Sequence, residues 1–226
     1  MKRLITAFVF TGILFSCNST DKNKKTTQES SGIETSTDSI SNEDTIQLTP
    51  INTDEALVAT ALMAAPKESR SGCTVIGYNM AGEFVTLKEG DNEFICLADN
   101  PNQDGFSAAC YHKDLEPFMA RGRELSAEGK TGQEIFNIRE EEVKSGKLGI
   151  KAGLTLHVYY GAKTLYDPET STVAGAQTRY VVYMPWATSE STGLPEAPMA
   201  PNHPWLMEPG THRAHIMITP LKEDGE

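Results

Sequence analysis

Asn18 to Asn52, a run of 35 residues, contains no aromatic side chain and only scattered Ile and Leu. It is built almost entirely of Ser, Thr, Asn, Lys, Asp, Glu and Gln, and six acids against three lysines leave it at −3. Such a stretch buries too little apolar surface to offset the entropy of ordering it. It reads as a tether with a root-mean-square reach of about 30–35 Å. Any folded core is therefore confined to residues 53–226.

What precedes the tether reads as an address. Lys2 and Arg3 form a positive start, and Leu4 to Phe15 is apolar apart from Thr6, Thr11 and Gly12. That is too short to span a bilayer and fits a secretory signal in residues 1–16. It ends in Leu14-Phe15-Ser16-Cys17, which resembles a bacterial lipobox, with Phe15 larger than the usual occupant of its position. The resemblance implies cleavage before Cys17, acylation of the new N-terminus (palmitate among the acyl groups) and a stable anchor in a membrane. The expected location is the bacterial cell envelope, on the outer membrane, with the folded part in the periplasm or at the cell surface. The alternative is ordinary cleavage, with Cys17 an incidental thiol.

Residues 53–226 suffice for one sizeable core and are too few for two comfortable ones. The net charge of the whole chain, −11 with a pI near 5.0, argues against a nucleic-acid partner. Thr53 followed by Asp54 and Glu55 starts a helix that Pro66 stops. Residues 73–78, 84–88 and 92–97 are β-rich runs separated by turn residues. Asp114 and the capping box Thr131–Glu134 open two further helices. Strand-like runs return at 154–160, 179–185 and 214–219, joined by proline-rich loops. This order predicts an α+β domain: an antiparallel sheet of about six strands with about three helices packed on one face.

Three cysteines remain if Cys17 carries lipid. Export favours disulfides, and Cys96 and Cys110 flank a short Asp-, Asn-, Pro- and Gly-rich loop. Closing it is worth about 3 kcal/mol in the chain-entropy model. The leading expectation is a Cys96–Cys110 bridge, with Cys73–Cys96 or no bridge as alternatives, and the leftover thiol a small buried hydrophobe.

No complete catalytic constellation is present. His212 and His215 form H-x-x-H just before a strand-like run, where joint chelation needs a turn at His212 and a third ligand. No metal and no cofactor are expected. Alternation along Leu154 to Tyr160 places Thr155, His157 and Tyr159 on one face, which either lines a cleft or is the wet side of a half-buried sheet. The candidates for acid–base work are His215, His157 and Asp99.

Two segments carry a family likeness. Asn92-Glu93-Phe94-Ile95-Cys96-Leu97-Ala98-Asp99-Asn100-Pro101 with Cys110, and Gly210-Thr211-His212-Arg213-Ala214-His215-Ile216-Met217-Ile218, resemble signatures of an uncharacterised family of secreted bacterial proteins. The resemblance covers about half the domain and departs at His212-Arg213, where the pattern has a proline and an aromatic residue. It implies a shared framework containing Cys96, Asp99, Cys110 and His215, without an activity. The function expected is a non-enzymatic module binding a small molecule or an envelope protein. The alternative is a secreted enzyme or metal-binding protein using His215 with Asp99 or His157.

Overall fold

The computed structural model describes residues 47–220; the signal segment, Cys17 and most of the tether lie outside the described residues. Thr49–Pro50 forms a short strand, β1, upstream of the boundary expected at residue 53. Helix α1, Asp54–Leu62, starts where its cap predicts: Thr53 Oγ1 accepts from the Ala56 amide at 3.1 Å. Its buried face carries Ala56, Leu57, Thr60 and Ala61, and the Thr60 hydroxyl is satisfied by donating to the Ala56 carbonyl at 2.7 Å.

A 3₁₀ turn, Lys67–Gly72, leads into β2 (Thr74–Tyr78), β3 (Phe84–Lys88), β4 (Phe94–Leu97) and β5 (Phe106–His112). A second 3₁₀ turn introduces α2, Glu116–Ala127, and the capping box at Thr131 and Glu134 opens α3, Gly132–Lys144. Then come β6 (Thr155–Gly161), β7 (Leu165–Tyr166), β8 (Gln177–Tyr183), a one-turn α4 (Ser189–Thr192), β9 (Trp205–Met207) and β10 (His215–Ile218). Among the described residues no helix is long and apolar enough to cross a membrane.

Eight strands join in one sheet in the order β3-β2-β4-β5-β6-β8-β10-β9, while β1 pairs separately with β7. All pairings are antiparallel except β2 with β4. That exception arises because the chain leaves edge strand β3 and crosses the start of β2 to reach its other side. A Cβ on Gly90 in this crossing would sit 2.3 Å from the Cys73 carbonyl carbon and the Thr74 nitrogen. Any side chain there forces the strand or the crossing to shift.

The α+β class is as expected, with two differences in detail. The sheet has eight strands, because β5 and the short β9 carry small or mixed residues that do not alternate clearly. The helices also divide between its faces. Ala108 and Cys110 of β5 pack with Leu57 and Ala61 of α1, whereas Tyr111, one residue on, packs with Phe118 of α2. Helices α2 and α3 are locked together by the Arg121–Glu142 pair, with Nη2 to Oε1 at 2.9 Å. Buried Arg139 of α3 stacks over Phe118 at 4.2 Å and donates to the Phe118 carbonyl at 3.2 Å. Gly122 makes room for that guanidinium, since a Cβ there would lie 3.0 Å from Arg139 Nη1.

Candidate binding face and cysteine cluster

Residues i and i+2 of a strand share a face, so β6 splits its aromatic and polar residues between two environments. Thr155, His157 and Tyr159 point to the α1 side. There His157 is hydrogen-bonded to the Ala64 backbone, meets the Tyr180 ring edge-on at 5.1 Å, and has its pKa lowered by burial. Tyr159 packs edge-on against Phe106 at 5.3 Å and accepts from the Val173 amide at 2.8 Å. That face is thus largely covered, neither a cleft nor wholly wet. The opposite face, carrying Leu156, Val158 and Tyr160, opens onto a cavity of ≈ 550 Å³.

Leu156 and Val158 with Val181 and Met217 make the apolar floor of this cavity. Its ends are polar. At one, Arg179 Nη2 donates to Tyr160 Oη at 2.9 Å and the guanidinium lies over that ring at 5.0 Å. Arg179 has no ion-pair partner among the described residues, and its buried Nε has no hydrogen-bond partner there. A second cavity of ≈ 580 Å³, bounded by Trp205 and the Pro198–Asn202 loop, shares Arg179 with the first. At the other end, Glu208 grips Arg213 through two bonds of 2.6 Å. His215 Nδ1 lies 2.7 Å from the Arg213 carbonyl, so that nitrogen carries the proton and Nε2 is left as an acceptor. Burial lowers the His215 pKa, against an opposing contribution from the Arg213 backbone hydrogen bond. The turns behind this end hold Glu208 and Trp186 at φ 52° and 69°, a backbone region that side chains seldom adopt.

The sequence-derived acid–base candidates do not converge. Asp99, after β4, is 5% exposed and accepts from the Ser107 amide at 2.9 Å, with burial raising its pKa. Four strand spacings separate β4 from the β10 strand of His215, about 19 Å. His157 and His215 lie on opposite faces. A turn does occur at His212, but its ring is fully buried between Phe136 at 4.8 Å and Phe118 at 5.8 Å. Neither ring nitrogen has a hydrogen-bond partner among the described residues, and burial lowers the pKa to about 4.

The tightest gathering of reactive groups is one that sequence spacing does not reveal. Cys96 and Cys110 face each other across β4 and β5, and the parallel register of β2, with Val75 beside Cys96, brings in Cys73 on the same face. The three sulfur atoms lie within 4.8 Å of one another, and all three residues are fully buried as free thiols. Cys96 and Cys110, the pair for which a bridge is expected from the sequence, are register partners on adjacent strands but stand as free thiols here. Cys73 Sγ donates to the Ser69 carbonyl at 3.2 Å, and Asn92 Nδ2 reaches both that carbonyl, at 2.7 Å, and the sulfur, at 3.8 Å. Burial and the neighbouring Cys96 push the Cys73 pKa up to about 11, while Cys110 and burial push Cys96 higher still. Lys88 Nζ donates at 2.9 Å to the carbonyls of Ser71 and Cys73 and brings a positive charge toward Cys96. No family model, curated protein or solved structure matches this chain.

Proposed function

We propose that this chain is a lipid-anchored lipoprotein of the bacterial envelope whose folded domain is a non-catalytic binding module for small amphipathic anions. The anchor rests on the Leu14-Phe15-Ser16-Cys17 segment and its flanks. The observation that carries the binding reading is Arg179, which has no carboxylate partner among the described residues, at the end of an apolar cavity of ≈ 550 Å³, a volume within the usual range for small-molecule sites. An apolar floor takes a hydrocarbon or ring, and a guanidinium pre-positioned by Tyr160 takes a carboxylate. The separation of His215 from Asp99 and His157 favours binding over catalysis.

Titration calorimetry with dodecanoate tests this, using the full chain carrying Cys17→Ser so that no acyl group competes. Binding at one site per chain is expected. Arg179→Ala should weaken it about tenfold or more, the worth of a charge-assisted hydrogen bond. Absence of binding, or equal affinity in the variant, overturns the reading.

A further inference from the structure

We propose that Cys73, Cys96 and Cys110 form a three-coordinate thiolate site for a soft monovalent metal ion, copper(I). The cluster lies on the α1 face of the sheet, away from the cavity that carries the binding reading, and stands independently of it. Its donor set is sulfur only, which selects soft ions. A metal equidistant from three sulfurs at about 2.3 Å sets them about 4.0 Å apart, and the observed separations are all within 4.8 Å. Beyond these three cysteines, no His, Cys, Asp or Glu side chain among the described residues joins the group. Zinc completes a tetrahedron with a fourth ligand or a water, and these fully buried sulfurs leave water no access. Three sulfurs without a fourth donor suit copper(I).

The surroundings hold the three in place. Cys96 and Cys110 sit on strands interior to the sheet, and Cys73 is pinned at the start of β2 by Ser69, Asn92 and the Gly90 crossing. Lys88, donating to the Cys73 carbonyl, supplies positive charge beside a centre that becomes anionic when loaded. Binding breaks S–H bonds, forms metal–sulfur bonds and releases the thiol protons to solvent, with no change of oxidation state. Affinity therefore rises with pH. Because none of the sulfurs is exposed, the ion enters as the domain folds.

The test is anaerobic refolding of the full Cys17→Ser chain with copper(I) supplied as its bicinchoninate complex. One copper per chain, retained against free bicinchoninate, is expected. X-ray absorption of that sample should show three sulfur neighbours at about 2.3 Å; this readout needs no variant and so does not depend on one folding. Cys96→Ser or Cys110→Ser should abolish retention. The proposal is overturned by return of the metal to bicinchoninate, by a shell of two sulfurs or of mixed nitrogen and sulfur, or by preferential zinc retention. It is also overturned if the chain purified from its cells is two hydrogens light, with a bridge mapped between two of the three cysteines.

Discussion

An imidazole whose two buried nitrogens have no partner among the described residues, as at His212, makes the fold sensitive to acid. Its folded-state pKa of about 4 lies below the ordinary histidine value of 6.5, so between these limits the unfolded chain binds a proton that the folded chain does not. Stability falls as pH drops from 6.5 to 4, by on the order of 3 kcal/mol for this group. Burial moves His157 and His215 in the same direction. Asp99, with its pKa raised by burial, opposes them at the acid end. Denaturant titrations across this range should show His212→Leu lowering proton uptake on unfolding by about one. The variant should also gain about 1–3 kcal/mol at pH 5, because two orphaned polar atoms leave the core. An unchanged pH slope would place the sensitivity elsewhere.

At the scale of elements, the chain's reversal across β2 is the most demanding step. Gly90→Ala puts a methyl group 2.3 Å from backbone atoms of Cys73 and Thr74, neither of which is a flexible tip. It should cost at least about 3 kcal/mol, since the strand or the crossing must shift. A methyl group on Gly132, in the first turn of α3, would instead meet nothing within 4 Å. Gly132→Ala should stabilise by about 0.5–1 kcal/mol. Thermal melts of the two variants moving in opposite directions would check the contrast.

These same elements show what was legible. The Thr53 cap and the Thr131–Glu134 box are local signals, and both helices begin there. The strand β5, Phe-Ser-Ala-Ala-Cys-Tyr-His, was not legible, because beyond Phe106 its α1-side positions, Ala108 and Cys110, are small. The parallel pairing of β2 with β4 joins segments separated by β3, and no local pattern encodes that register. For that reason the thiol at Cys73 reads as a leftover in the sequence, although it neighbours the other two. The alternation at His157 was readable, but which face a helix would cover was not.

At the scale of the whole molecule, the tether gives way to the fold earlier than its composition implies. Composition sets that boundary at residue 53, yet Thr49 and Pro50 pair with Tyr166 and Leu165, and the Ile51 amide donates to the Thr164 carbonyl at 2.9 Å. Ile51 is itself buried in the α1-side core. Beyond β7, Tyr166 bridges to Val173, whose amide meets the Tyr159 hydroxyl on β6. Residues 49–51 thus fasten the β6–β8 connection to the main sheet, a role that polar composition conceals because a single isoleucine and a two-residue strand perform it. A chain beginning at Gln47 should melt with the full-length chain. One beginning at Thr53 should lose about 2–4 kcal/mol, from Ile51 burial and the lost strand pairing together. Parallel calorimetric melts decide this: equal stability of both truncations would return residues 49–51 to the tether.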